Sequence, residues 1–447
     1  MSSPQTPKTG SSTTVSTPTH PPVTINAKAG RRAALASTVG AVVDWYDFFL
    51  YGTAAAVVFG PLFFPSDNQV AGLLASMGSF AVGFLFRPLG GAIFGHFGDK
   101  YGRRTMLFIT VVMMGLASTA IGLLPGYAAI GVGAPILLVT LRAVQGMAVG
   151  GEWGGAALMA VENAPAGKRN FLATGVQIGS FVGLLLGTAA FSLVTAMTTP
   201  EQFLAWGWRL PFLISILFAL VGLWIRAGVP ESAEFAAAKE EQQAARAPLA
   251  EALRTSPKKI LAVIGMRMVD QSTFYMGFTF SLAYVKNFTD TPSSTVLTAS
   301  MVAMVLAIPF LALWGRLADK FGRKWFYIIG PLAAALSAAP FFAALESGDL
   351  FPMILGFVAL INLGHNISTC VQQTWFTDMF DVRIRYSGAG FAYALAGAVG
   401  GFIPLIATAL MASSGSWVPA AALLAGLSLI ALVSSLWSYK WANKEHH

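Results

Sequence analysis

The sequence predicts an all-α polytopic membrane protein, with twelve transmembrane helices in two pseudo-symmetric six-helix bundles. Three observations predict it. Of the 447 residues, 55% are hydrophobic and 11% charged, and the mean hydropathy is +0.65, whereas a soluble domain carries roughly 25% charged residues. The chain divides into twelve apolar runs of the length a bilayer demands, about 20 residues each. The third observation is a repeat. Gly95 to Arg104 reads GHFGDKYGRR, and Gly315 to Lys324 reads GRLADKFGRK, with Asp99 and Asp319 220 residues apart. Glu162 and Arg169 lie seven apart, as do Asp378 and Arg385, shifted by 216 residues. Two matches in the same order at nearly the same offset mean two copies of one unit, a plan common to membrane proteins with internal repeats.

Taken in order, residues 1–30 are rich in Ser, Thr and Pro and lack an apolar core, so they are expected to form a disordered cytoplasmic tail rather than a signal peptide. The spans are expected near 33–60, 70–97, 105–125, 134–161, 171–197 and 208–227 in a first bundle over 31–227. A polar, Ala-rich segment over 228–256 reads as a cytoplasmic linker. Spans near 258–285, 295–317, 325–345, 351–377, 387–413 and 417–439 form a second bundle over 257–441, followed by a tail over 442–447. If the amino terminus is cytoplasmic, nearly all cations fall on inner connections, among them Lys100, Arg103, Arg104, Lys168, Lys320, Lys324 and Lys440, and only Arg209 and Lys286 edge the outer ones. That is the positive-inside pattern. It puts both termini and both Asp-Lys turns in the cytoplasm. Gly175, Gly179, Gly183 and Gly187 recur every four residues, as do Gly388, Ala392, Ala396 and Gly400, which lets backbones approach closely; helix packing is the expected role, with a sliding seam between bundles the alternative.

Several classes are excluded. The net charge of +8 is spread along the chain rather than gathered into a basic face, so no nucleic-acid partner is implied. One cysteine, Cys370, allows no intrachain disulfide, and the five histidines form no ligand cluster, so no metal or cofactor is expected. No Ser/His/Asp set or phosphate-cradling loop is evident. Gly150 to Gly155 sits inside a span, where glycine serves packing, and the chain reads as no enzyme.

Charges inside the spans carry the functional reading, because an unpaired one costs about 2.5 to 3.5 kcal/mol. Seven lie there: Asp44, Asp47, Arg87, Arg142, Glu152, Arg267 and Asp270. At about 1.5 Å per residue, Asp44, Arg87, Glu152, Arg267 and Asp270 fall roughly 12 to 18 Å in from the cytoplasmic boundary, although they come from four helices. Arg267 and Asp270, three apart, could simply neutralise each other. Asp44 and Asp47 are like charges three apart on one helix, which favours one of them holding a proton. Tyr46, Tyr51, Gln177, Gln271, Tyr275, Asn362, His365, Gln372 and Gln373 could hydrogen-bond a hydroxylated ligand. Asp99, Arg103, Arg104, Glu162, Arg169, Asp319, Arg323, Asp378 and Arg385 lie at helix ends near water, where a charge network would hold an inner gate shut.

The GxxxDxxGR turns and the ExxxxxxR spacing resemble the major facilitator superfamily over residues 31 to 440. DWYDFFLYG at Asp44, FRPLGG at Phe86, LRAVQGMAVGGEWGG at Leu141 and PESAEF at Pro230 resemble its metabolite:H+ symporters, carriers of shikimate, 2-oxoglutarate, citrate, proline or betaine. CVQQTWFTDMF at Cys370 and RYSGAG at Arg385 are most similar to the shikimate carriers of that group. The resemblance implies the major facilitator fold, a monomer in a bacterial inner membrane, and alternating-access import of a small organic anion with H+. Shikimate or a related hydroxylated carboxylate leads; a dicarboxylate or an osmolyte is the alternative, and a passive channel the rival from another class. Arg87 or Arg267 would pair with the carboxylate, a guanidinium being a planar fork for it. Tyr51, Gln177, Gln271, Tyr275, His365 and Gln372 would line the substrate. Asp44, Asp47 or Asp270, with Glu152 and Arg142, would handle the proton.

Overall fold

A computed structural model of the chain describes residues 27–101, 103–150, 167–227, 248–381 and 384–442. The tail before residue 27, the 228–247 stretch of the expected linker, and Glu152 and Glu162 lie outside the described residues. With no water in a bilayer core, a spanning backbone must satisfy its own hydrogen bonds, and the described residues outside turns are helical. The spans are α1 Ala27–Val57, α2 Gln69–Leu85 continuing as Arg87–Tyr101, α3 Arg103–Leu123, α4 Gly133–Gly150, α5 Arg169–Met197 and α6 Arg209–Ala227. In the second half, α7 runs through Pro257–Met266, Met268–Phe274, Tyr275–Phe280 and Ser281–Phe288. Then come α8 Ser293–Phe321, α9 Arg323–Ser347, α10 from Leu350–Phe357 through Val358–His365 and Asn366–Thr369 to Gln372–Asp378, α11 Arg385–Gly400 with Ile403–Ser414, and α12 Val418–Ala442. Part of the 228–256 segment is itself a short helix, Pro248–Thr255.

Local chemistry sets the ends. Asn68 opens α2 by accepting from the backbone N–H groups of Val70 (2.9 Å) and Ala71 (3.3 Å), two of the donors a helix start leaves free. Between α8 and α9 the chain turns on Gly322 at φ +84°, a conformation in which glycine avoids the Cβ clash. Large apolar side chains such as Trp224, Leu336, Leu193 and Val433 point outward, as on a surface facing lipid. In the first half α1 packs on α5, α3 on α6 and α4 on α2; in the second, α9 packs on α12 and α10. The halves meet where α5 runs along α8 and α11 lies on α2.

The glycine ladder of α5 serves close packing, as expected, but not at the seam between bundles. A Cβ on Gly179 or Gly183 would strike the backbone of α1 at Thr38 and Val42, so this ladder closes a joint inside the first bundle. The seam between bundles uses Gly315 of α8, whose Cβ position is 2.9 Å from Thr174 and 3.1 Å from Phe171 of α5. On α11, Gly400 is filled by Gln271 of α7, again within one half.

Candidate functional site

Four of the described spans are interrupted: α2 at Phe86, α7 at Arg267, α10 at Cys370 and Val371, and α11 at Gly401 and Phe402. Irregular backbone inside a bilayer is tolerated where it lines a protein interior or cavity. At the breaks of α2 and α7 stand two arginines, Arg87 and Arg267.

Arg267, 2% exposed, donates from each of its three nitrogens. Its Nη2 and Nε donate to Asp270 Oδ2 at 2.8 and 3.2 Å, and its Nη1 donates to the Tyr393 carbonyl at 2.7 Å. Its guanidinium lies 3.3 Å above the centre of the Tyr393 ring. Asp270 Oδ2 also accepts from Gln271 Nε2 at 3.2 Å, while Asp270 Oδ1 and Gln271 Oε1 are buried with no hydrogen-bond partner. Arg87 is the contrast. Its guanidinium rests 4.3 Å from the Phe84 ring centre and 5.0 Å from that of Phe48, and among the described residues no hydrogen bond or ion pair holds it. Asp44 on α1 is close enough to act on Arg87 through its charge, as is Arg267. The arginine pair brackets Gly397 of α11: a Cβ there would stand 3.7 Å from Arg87 Nη1 and 3.8 Å from Arg267 Nη1.

An aromatic layer crosses the junction beside them. Trp45 packs edge-on against Phe274 (5.0 Å), Phe84 against Tyr275 (5.2 Å), and Phe48 meets Tyr275 at 5.9 Å, each joining the first bundle to the second. Below it His365 of α10 faces Gln177 of α5 (Nε2 to Nε2, 3.4 Å) and the Thr273 hydroxyl (3.1 Å), tying both halves to one ring. The structure thus gathers Arg87, Arg267, Asp270, Gln271, Tyr275, Gln177 and His365 about the junction. Tyr51 instead stays inside the first bundle, bonded to Ser79 at 2.9 Å, and Gln372 lies beside Tyr327 inside the second.

The two aspartates of α1 diverge. Asp47 is wholly buried, its two oxygens lack a well-formed hydrogen bond, and the hydroxyls of Ser118 on α3 and Ser215 on α6 turn toward it. Ser118 accepts from Gln145 Nε2 at 2.8 Å, and Gln145 Oε1 accepts from Arg142 Nη1 at 3.1 Å. A polar chain therefore links Asp47 to Arg142 with no direct ion pair. Arg142 sits 4.3 Å over Tyr51 and shares Phe48 and Phe84 with Arg87. Ser118, Gln145, Tyr393 and Gly397 escaped the sequence reading. Gln145, three residues after Arg142, had a helical-face signal; the others are defined by neighbours far off in the chain.

Polar contacts join the halves at both ends of the junction. At the end carrying the Asp-Lys turns, Asp319 of α8 caps the start of α5: Oδ1 accepts from the Asn170 backbone N–H (3.0 Å) and side-chain amide (2.9 Å), and Oδ2 from the Phe171 N–H (3.1 Å). Asp378 of α10 takes Arg169 from the first half at 3.4 Å and Arg323 from its own. Of the other residues expected to gate, Asp99, Arg103, Arg104 and Arg385 fall in helices whose side chains are outside the described set there. At the opposite end Lys286 of α7 donates to the Val57 carbonyl at the close of α1, and Gln69 donates to Asn287 at 3.2 Å. Lys286 and Asn287 drew no notice in the sequence beyond topology.

The arrangement has counterparts. The family described as "Sugar (and other) transporter" matches residues 33–267, and "Major Facilitator Superfamily" matches residues 260–446. The chain is 49% identical to the "Shikimate transporter" of Escherichia coli K12 over 417 residues, covering 92% of this chain and 95% of that one. It is 33% identical to the "Proline/betaine transporter" of Salmonella typhimurium LT2 over 426 residues, covering 93% and 84%. Among solved structures it is similar to the proton:xylose symporter XylE bound to 6-bromo-6-deoxy-D-glucose, with TM-score 0.71, 19% identity, and 93% and 96% of the two chains covered, a likeness of fold. Its curated relatives are carriers spanning nearly the same length, and the chain belongs to the major facilitator superfamily as a membrane transporter, not an enzyme.

Proposed function

We propose that the protein is a proton-coupled symporter that imports shikimate or a related hydroxylated carboxylate. The observation that carries the reading is Arg87, a guanidinium at the bundle junction that among the described residues rests on aromatic faces alone, facing a second arginine that Asp270 and the Tyr393 carbonyl hold in place. A carboxylate is the group that would complete it. The chain's likeness to a shikimate transporter supports the choice of cargo, and Gln177, Thr273 and His365 supply neutral hydrogen-bonding groups for ring hydroxyls.

Coupling follows from charge. One proton and one carboxylate entering together leave the net charge of the interior unchanged, while either alone adds one buried unit, at a cost of about 2.5 to 3.5 kcal/mol. Transit of a half-loaded carrier is therefore slowed by roughly 10²-fold. Asp47 holds the transported proton: among the described residues no cation pairs with it, and Ser118, Gln145 and Arg142 connect it to the rings that also carry Arg87. Substrate arriving between Arg87 and Arg267 loosens the Arg267–Asp270 pair, and the two bundles then rock about the loaded site. The end with the Asp-Lys turns is cytoplasmic, by the cations it carries, in a bacterial inner membrane, with both termini and the 228–256 linker on that side. The path runs through a single chain, which works as a monomer.

Uptake of radiolabelled shikimate into proteoliposomes tests this. Arg87→Gln should raise the half-saturation concentration at least tenfold with the protein still folded. An unchanged value would remove Arg87 as the carboxylate anchor.

A further inference from the structure

We infer that Gly397 of α11 is the floor of the carboxylate subsite, and that its missing side chain selects for a carboxylate held by both arginines at once. The inference rests on the reading of Arg87 as anchor. The Cβ position of Gly397 is 3.7 Å from Arg87 Nη1 and 3.8 Å from Arg267 Nη1, so the two nitrogens are no further apart than these lengths together, about 7.5 Å. Two charge-assisted bonds of about 2.8 Å, one to each oxygen of a single carboxylate, span a gap of about 7 to 8 Å. One carboxylate is therefore long enough to reach both guanidiniums across the widest gap these distances allow.

They reach that point from opposite halves, on α2 and α7, and α11 supplies the surface beneath. Glycine is the residue that lets a ligand lie against the backbone. A methyl group at 397 would meet no atom closer than 3.7 Å, ordinary van der Waals contact, so the fold tolerates it. The same methyl raises the floor between the arginines and denies a carboxylate its bond to one of them. Gly400, one turn on, differs: its Cβ would collide with Gln271, so substitution there disturbs packing within the second bundle. Since one arginine comes from each half, a carboxylate seated on Gly397 ties the bundles together through a bond that neither half makes alone. An uncharged ligand lacks a group that satisfies both cations.

The test uses full-length protein in proteoliposomes with labelled shikimate, beside thermal melting in detergent. Gly397→Ala should melt as the parent does and raise the half-saturation concentration tenfold or more. Gly426→Ala on α12, where a Cβ meets nothing within 4 Å, should leave both unchanged. A Gly397→Ala protein with parental half-saturation would overturn the inference while leaving Arg87 in place if Arg87→Gln still weakens binding. Parental half-saturation in Arg87→Gln would overturn the underlying reading. A Gly397→Ala protein that fails to fold would contradict the ordinary contact distances around the residue and overturn the inference too.

Discussion

Asp47→Asn separates exchange from net transport. An amide has nearly the shape of a protonated carboxyl group and still offers an oxygen to the hydroxyls of Ser118 and Ser215. No ion pair is lost, because Asp47 makes none with the described residues, so the fold should survive. The variant behaves as a carrier whose proton never leaves. Loaded with a carboxylate, its interior has the same charge balance as the loaded parent and it crosses normally. Empty, it retains one unit of uncompensated charge, and at about 2.5 to 3.5 kcal/mol its return is slowed by roughly 10²-fold. Counterflow of labelled against unlabelled shikimate, which needs only loaded transits, should run near the parental rate. Net efflux into substrate-free buffer should fall by roughly two orders of magnitude. In the parent, one proton per carboxylate turns each imposed pH unit, 1.36 kcal/mol, into about tenfold accumulation, unaffected by membrane potential. In the variant that accumulation should vanish. If Asp47→Asn still concentrates shikimate, or releases it at the parental rate, the proton travels elsewhere and Asp270, with its unpartnered Oδ1, becomes the residue to test.

The two closures should respond in opposite senses. Asp319→Asn removes the negative charge from the start of α5, an interaction worth about 0.3 to 1 kcal/mol; labelling of a single cysteine placed on the cytoplasmic side of the junction should quicken about two- to fivefold. Lys286→Gln removes the cation from the end of α1 and should quicken labelling from the other side instead, and a matching change on both sides would refute separate gates. Gly183→Ala should lower stability by about 1 to 3 kcal/mol, read as a fall in melting temperature, since its Cβ meets the Val42 carbonyl and the Tyr46 backbone of α1; a parental melting curve would mean the α1–α5 joint has slack.

Much of this molecule is written at short range. Span lengths follow from bilayer thickness, so α5 was expected at 171–197 and lies at Arg169–Met197, and α12 extends only a few residues beyond its expected end. Arg267 and Asp270 were legible as a pair because a spacing of three puts them on one helix face, and the same rule would have joined Gln145 to Arg142. Spacing along one helix says nothing about which helix lies opposite. The every-fourth glycines of α5 announced a close neighbour, but whether that neighbour was α1 or α8 depended on packing that no local pattern encodes. Gly397 was hidden for the same reason, lost among the small residues of α11 until two arginines from other spans closed around it. The internal repeat narrows this gap at the gates alone: the second copy of the Asp-Lys turn meets the helix start that follows the first copy of the Glu-to-Arg spacing, Asp319 against Asn170 and Phe171. Here one repeated motif meets the other across the halves, a contact for which the repeat supplies a signal in the sequence, whereas the substrate site between the halves has none.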